Sequence, residues 1–346
     1  MSKKNSSAIL KNLFKDYKEL SNIYLNFQKK LNNTKKKIFL VAVSGGPDSL
    51  ALTALTKAYS YNAKAKFLYV LVDHNLRKNS SMEALLVKDL LKKHKINLRI
   101  LRNKKRIKKN IQGEARAIRY DLLTEFCKKN KVKVILTAHN LEDQVETFFI
   151  RLSRGSGLQG LSSMKQSSKI ENNIILGRPL LDIKKTQLIK ISKLIFGKFF
   201  KDPTNKNTKY LRTRVRRLKK SLENIGIKYD QIFKSIKNLA SSRDTLDLYF
   251  NEIYGNIVDK KRSKILINAK SLNDLNQEMK IKVIKRTIKE ISKSYYSPRS
   301  QKIINLIKRL EKPYESKSTL GGCLIIKLQN HIILEKENKN KQFTKI

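Results

Sequence analysis

Cysteine, acidic residues and long apolar runs are all scarce in this chain of 346 residues. The two cysteines, Cys127 and Cys323, lie far apart and match no metal-ligand or redox spacing, so a disulfide framework and a Cys-x-x-Cys redox centre are excluded and a reducing compartment is expected. No stretch reaches the roughly 20 apolar residues of a membrane span. The start, Met1 to Leu20, is basic and then amphipathic through Ile9, Leu10, Leu13, Phe14 and Tyr17, without the continuous apolar stretch of a signal peptide.

The scarcity of acid is the most informative of these. Lys plus Arg number 77 against 28 Asp plus Glu, a formal net charge of +49. A genome rich in Lys, Asn and Ile codons accounts for part of the lysine count but not for the missing acids. Such a surplus attracts polyanions, and release of their counterions drives association. Nucleic acid and an acidic membrane surface both fit the charge. The hydrophobic share of 40%, with 13 Phe and 13 Tyr, argues against wholesale disorder, and the length suits two domains.

The first two hundred residues alternate between strand-like and helical patterns. Ile38 to Val43, Phe67 to Val72, Leu98 to Leu101 and Val132 to Ala138 are short apolar runs of the kind covered on both faces. Helical patterns near 80–94 and 111–130 separate them. This order predicts an α/β fold with a parallel sheet, whose ligands bind beyond the carboxyl ends of the strands. Lys165 to Asn173 reads as a polar loop. A boundary near 221–228 divides a domain of residues 1–222 from a smaller, mainly helical region, 223–346, that ends in a hairpin formed by Leu324–Leu328 and His331–Leu334.

The candidate chemistry falls at strand ends. Ser44-Gly45-Gly46-Pro47-Asp48-Ser49 follows the first buried strand and opens a helix. Two glycines admit an anion close to the backbone, and the helix aims free N–H groups at it. Ser44 and Ser49 add hydroxyls, and Asp48 suits a magnesium ion bridging phosphates. No Gly-Lys-Ser/Thr follows, so the loop is not a Walker A motif. A lone Ser-Gly-Gly would be an ordinary turn; the whole pattern after a buried strand favours phosphate binding.

Asp73 and His74 at the end of the second strand either touch a nucleotide or make a turn. Ile111, Ala115, Ile118, Leu122 and Phe126 form the apolar stripe of a helix, on which Arg116 and Arg119 either reach one anion or stand in solvent. The segment His139-Asn140-Leu141-Glu142-Asp143-Gln144-Val145-Glu146 opens a helix near Asn140. Leu141, Val145, Phe148 and Leu152 would point inward, with Asp143 and Glu146 on the opposite face. In so basic a chain these acids have three readings: chemistry, a helix amino end, or pairing with arginines. A lone His makes a structural zinc site a poor fit. Arg151 to Gly157 supplies a basic turn containing Arg154. Asp202-Pro203-Thr204-Asn205 precedes a helix in which six of the nine residues from Arg212 to Lys220 are basic, among them Arg214, Arg216 and Arg217. Those contact phosphates or form a solvated face.

The glycine loop resembles the PP-loop of the N-type ATP pyrophosphatases, which split ATP into AMP and pyrophosphate while adenylating an oxygen. With Arg154-Gly155-Ser156-Gly157, Arg178-Pro179-Leu180-Leu181 and the segments above, residues 36–220 resemble the tRNA(Ile)-lysidine synthetase family, with a weaker echo at Thr319-Leu320-Gly321-Gly322-Cys323. Asn140 and Glu142 depart from its usual His and Asp. The resemblance implies a cytoplasmic ligase using ATP and Mg2+. It would adenylate the carbon-2 oxygen of the wobble cytidine of the CAU-anticodon isoleucine tRNA, then join free L-lysine; a homodimer is left open. By the same resemblance Asp143, Glu146, Arg119 and Arg212 are catalytic. Residues 44–49, Asp73 and His139 would bind ATP, with Asp48 also serving magnesium. Arg116, Arg154, Arg214, Arg216 and Arg217 would meet tRNA or phosphate. A thiolase-like PP-loop enzyme and a non-catalytic RNA-binding protein are the alternatives.

Overall fold

The computed structural model describes residues 18–77, 79–104, 107, 111–170, 173–200, 210–293 and 298–337. Two compact units result, Met1–Ala240 and Ser241–Ile346.

The first unit is built on a six-stranded sheet in the order β3-β2-β1-β4-β6-β5, comprising β1 (Ile38–Val43), β2 (Lys66–Asp73), β3 (Leu98–Arg102), β4 (Val134–Leu136), β5 (Ser167–Lys169) and β6 (Ile175–Gly177). All neighbours are parallel except β5, which pairs antiparallel with β6 at the edge. That short strand, Ser-Ser-Lys, lies in the expected polar loop; it has no apolar residue to announce it. The central strand β1 shows why its sequence is continuously apolar. Phe39, Val41 and Val43 enter a core that includes residues of α1 (Lys18–Asn32), α2 (Pro47–Asn62), α3 (Ser80–Lys93) and, farther on, α7 (Lys185–Phe196), whereas Leu40 enters the opposite core with Leu123 and Cys127 of α4 (Ile111–Lys129).

β1 lies between β2 and β4. The chain therefore leaves the sheet centre in both directions, and a crevice opens at the carboxyl ends of β1 and β4. The glycine loop follows β1, and α5 (Leu141–Leu152) follows β4. The short α6 (Leu158–Leu161) comes next. Further on come α8 (Leu211–Asn224) and the long α9 (Tyr229–Ile257). Leu141 and Val145 pack on Tyr229, Ile232 and Ile236, with Phe148, Phe149, Leu222 and Phe233 around them. The start of α9 thus belongs to the first unit, and the division falls within that helix at 240/241 rather than at 222/223. The Lys- and Gly-containing stretch before α9, within the expected boundary at 221–228, is a tight turn.

The second unit carries a five-stranded antiparallel sheet, β7-β8-β11-β10-β9, made of β7 (Val258–Lys260), β8 (Lys264–Asn268), β9 (Ser316–Leu320), β10 (Cys323–Lys327) and β11 (His331–Lys336). The expected hairpin is β10–β11, but it sits inside this larger sheet. Helices α11 (Gln277–Ser292) and α12 (Ser300–Leu310), which follow the short α10 (Ala269–Asn273), cover it through Met279, Val283, Ile284, Ile303 and Leu306. Gly321 (φ +64°) and Gly322 (φ +77°) make the two-residue turn between the paired Leu320 and Cys323. A turn with both central residues at positive φ is the hairpin geometry that glycine favours. The Thr319–Cys323 echo therefore lies on a structural turn.

Candidate active site

The glycine loop is braced from inside. Gly45 has φ +80°, and a Cβ there would lie 2.5 Å from Val87 Cγ2, so only glycine fits. Its carbonyl accepts from Phe200 N at 3.0 Å. Ser49 Oγ donates to the Gly46 carbonyl at 3.0 Å and accepts from Ser44 N at 3.1 Å. Ser44 Oγ also lies 3.1 Å from Ser49 Oγ. Ser49 is buried and holds the loop closed, while Ser44 is exposed. Gly46 is the N-cap of α2 with Pro47 in the first turn, and no side chain caps the helix. Its free amides form the anion-binding end that the sequence suggests.

Three helix amino ends converge here, those of α2, α5 and α7. Asn140, fully buried, caps α5 in a reciprocal box: its Oδ1 accepts from Asp143 N at 2.9 Å, and Asp143 Oδ2 accepts from Asn140 N at 3.2 Å. Glu142 Oε2 accepts from Lys185 N, the first residue of α7, at 2.8 Å. Lys185 Nζ stands 4.0 Å from Asp48 Oδ2. Asp48 Oδ1 is buried without a hydrogen-bond partner. Burial raises the Asp48 carboxyl to about 6, opposed by Lys185 and reinforced by the negative charge of Asp143.

Glu146 lies one turn into α5, and its side chain is 4% exposed. Asp143 and Glu146 do share a face, but that face is covered by α8. Arg216 Nε donates to Glu146 Oε1 at 2.5 Å, Arg212 Nε stands 3.3 Å from Oε2, and Arg216 Nη2 stands 3.9 Å from Asp143 Oδ1. Arg212 also donates to Thr147 Oγ1 at 3.2 Å. Burial raises the Glu146 pKa, while the Arg216 hydrogen bond pulls it back. Leu152, expected inward, is 48% exposed: it is the last residue of α5 and lies beyond the cluster that takes Leu141, Val145 and Phe148.

His139 Nδ1 meets Thr137 Oγ1 at 2.9 Å. Burial lowers it to about 4; Asp143 opposes the shift, and the charges of Arg178, Arg116 and Arg212 add to it. Its ring is neutral at pH 7. Asp73 is buried, and its carboxylate accepts from Asn75 N at 2.9 Å and Ser81 Oγ at 2.6 Å, which is turn-making geometry. Arg116 is exposed and lies over the Tyr120 ring at 5.1 Å. Arg119 is exposed beside His74, whose pKa falls through burial and then through the Arg119 charge. On α4, Ile111 is exposed, and the buried positions are Ala115, Leu123, Thr124 and Cys127 rather than the full expected stripe. Arg154, Arg214 and Arg217 are exposed. Arg151 closes the turn around Arg154 by donating to the carbonyls of Gly160 at 2.7 Å and Ser163 at 3.0 Å. Asp202, Pro203, Thr204 and Asn205 lie outside the described residues.

Sequence reasoning passed over Lys185, one basic residue among many. It also passed over the structural roles of Asn140 and Glu142. Among the described residues no group of three His, Cys, Asp or Glu is placed to hold a metal by itself, and no helix is long and apolar enough to cross a membrane. A separate open cleft of about 620 Å³, lined by Lys37, Lys64 and Lys66 with Tyr61 and Asn62, lies at the other end of β1 and β2 and contains no acid.

Residues 19–222 match the model of the PP-loop domain family. In fold, the chain is similar to the U34-tRNA thiolase of Methanococcus maripaludis, with a TM-score of 0.54 and 17% identity over 64% of this chain and 78% of that one. Sheet order, braced glycine loop and family match together define a PP-loop protein. The chain is 35% identical over 307 residues to the tRNA(Ile)-lysidine synthase of Wolbachia pipientis wMel, covering 87% of this chain and 71% of that protein. It is 32% identical over 309 residues to the one from Orientia tsutsugamushi (strain Boryong), covering 86% and 69%. The chain belongs to the tRNA(Ile)-lysidine synthase family.

Proposed function

We propose that this chain uses ATP to adenylate the carbon-2 oxygen of the wobble cytidine in a CAU-anticodon isoleucine tRNA and then joins free L-lysine to that carbon. The observation that carries the reading is the meeting of an uncapped, glycine-braced helix end with Asp48, Asp143 and Glu146 in one crevice. A pyrimidine carbonyl is a poor electrophile. In the first step its oxygen attacks the α-phosphorus, the α–β phosphate bond breaks and pyrophosphate leaves. In the second an amino group of lysine attacks carbon 2, the carbon–oxygen bond breaks, and AMP departs with the oxygen.

The chain's residues serve these steps as follows. The backbone N–H groups of Gly45, Gly46, Asp48 and Ser49 hold the triphosphate, with Pro47 fixing the first helical position, Ser44 as an outer donor and the Ser49 hydroxyl as brace. The unpartnered oxygen and raised pKa of Asp48 fit a magnesium ion shared with the phosphates, which would spread their charge when bound. Arg212 and Arg119 steady charge on the transferring phosphate. Asp143 and Glu146 receive the lysine ammonium and take its proton before attack. His139 stays neutral beside the nucleotide, and Asp73 shapes the adjoining wall. Arg216 is engaged with Glu146 and orders the acids, whereas the exposed Arg116, Arg154, Arg214 and Arg217 are left for RNA phosphates. A thiolase-like reading needs an accessible thiolate. Cys127 and Cys323 are both buried, and burial pushes the Cys127 thiol to about 12. The enzyme is expected to work in the cytoplasm.

Pyrophosphate release with tRNA, with and without lysine, tests the reading. Release that depends on tRNA, with lysine incorporated into it, supports the reaction. Asp143→Asn should abolish lysidine formation and leave tRNA binding nearly intact; full activity in that variant defeats the assignment.

A further inference from the structure

We propose that Lys185 is a further phosphate-positioning cation of the nucleotide site, seated there by Glu142. This rests on the reading of the glycine loop as an ATP site.

Two adjacent lysines open α7, and they are used differently. Lys184 Nζ turns outward to Asp230 at 2.6 Å. Lys185 faces the glycine loop, with Nζ 4.0 Å from Asp48 Oδ2. Its backbone is fixed twice over: Glu142 Oε2 takes the Lys185 N–H at 2.8 Å, and the Ile183 carbonyl takes the Leu141 N–H at 3.0 Å. The amino ends of α5 and α7 are thereby held in register, and the base of the Lys185 side chain has little freedom. Its tip does. A separation of 4.0 Å is the far limit of an ion pair and too long for a hydrogen bond, and the side chain is 38% exposed. An ammonium so held can turn from the carboxylate to a phosphate oxygen without losing a hydrogen bond, and charge-assisted contacts to phosphate are the stronger ones.

Charge balance also calls for it. Asp48, Glu142 and Asp143 bring three carboxylates to the place where a triphosphate would lie. Arg216 is engaged with Glu146, and Arg212, held by Glu146 and Thr147, is assigned to the transferring phosphate, which leaves the outer phosphates to other groups. Among the described residues, Lys185 stands within ion-pair reach of Asp48. Glu142 suits its task through reach: an aspartate at this position is one methylene shorter and would fall short of the Lys185 amide.

Equilibrium binding of ATP, inorganic pyrophosphate and AMP to the full chain in Mg2+ tests the proposal. Lys185→Met should weaken ATP and pyrophosphate by about tenfold or more and leave AMP within about twofold, since AMP lacks the outer phosphates. Lys185→Arg keeps the charge and should stay within about threefold of the wild type. Glu142→Ala should share the loss for pyrophosphate, whereas Glu142→Gln, which keeps a carbonyl acceptor, should not. Unchanged pyrophosphate affinity in Lys185→Met, or equal weakening of all three ligands, overturns the proposal; equal losses in Glu142→Ala and Glu142→Gln overturn the seating role. If the ATP reading itself is wrong, the wild type binds neither ATP nor pyrophosphate, a different result from either.

Discussion

Asp48→Asn should stabilise the ligand-free protein while abolishing its activity. The Asp48 carboxyl is raised from 3.8 to about 6, chiefly by burial. An acid with a raised folded pKa binds its proton more tightly in the native state than in the unfolded chain. Stability is therefore lost as pH rises from about 4 through about 6, and the whole penalty is present above both values. A difference of about two pH units corresponds to about 3 kcal/mol at pH 8. The side chain is 25% exposed, so solvent relaxation trims this to about 1.5–3 kcal/mol. For a unit of this size that is roughly 3–12 °C in melting temperature. At pH 4 the gain should shrink to about 0.5 kcal/mol, because wild-type Asp48 is then mostly protonated when folded. Urea unfolding of both proteins at pH 8 and pH 4, without nucleotide or divalent cation, reads the difference. Magnesium with nucleotide should narrow the gap at pH 8 by stabilising the wild type alone. Equal stabilities at pH 8, or a gain independent of pH, would refute the argument that this carboxylate is held uncompensated for a cation.

Three other outcomes follow from the same geometry. Gly45→Ala should cost about 2 kcal/mol or more from positive-φ strain and the Val87 clash, whereas Gly46→Ala, whose Cβ meets nothing nearer than Ser44 Oγ at 3.6 Å, should cost less than about 1 kcal/mol yet weaken ATP binding; thermal melts and nucleotide titration separate the two. Glu146→Gln should leave stability within about 1 kcal/mol, because burial and the Arg216 partner oppose each other, but lower lysidine formation by about a hundredfold; a large drop in melting temperature would assign Glu146 to the fold instead. His139 is held near 4 by burial, so the unfolded chain takes a proton that the native state refuses as pH falls from about 6.5 toward 4; His139→Gln should remove that loss, visible as a flatter stability profile in this range, and an unchanged profile would contradict it.

Much of the first unit was legible because its strands are fully covered. Ile38–Val43 has no polar residue to mislead, and the whole Ser44–Ser49 pattern after such a strand, rather than the glycine pair alone, points to phosphate. The second unit hid its sheet. Strands β7 (Val-Asp-Lys) and β9 (Ser-Lys-Ser-Thr-Leu) have almost nothing apolar to announce them, and β8 offers only Ile265 to Ile267 before a helix begins, so the β10–β11 pair alone reads as strands. At the site, the acids of α5 stood out by their rarity. Their burial did not, since it depends on α8 laying Arg212 and Arg216 across them, a contact between residues some seventy positions apart. Lys185 could not be singled out for the opposite reason: in a chain with 77 basic residues, a lysine carries no signal until its neighbour is known. Asn140 and Glu142 looked like defects in a pattern, yet each caps a helix, and only the hydrogen-bond partners reveal that.

The most direct test of the whole account is mass analysis of nucleosides from an unmodified CAU isoleucine transcript incubated with the protein, ATP, Mg2+ and isotope-labelled lysine. One labelled lysine residue condensed onto a cytidine, formed only with ATP and lost in Asp143→Asn, is the predicted result. Cytidine recovered unchanged at the wobble position, under conditions where the transcript is bound, would contradict it.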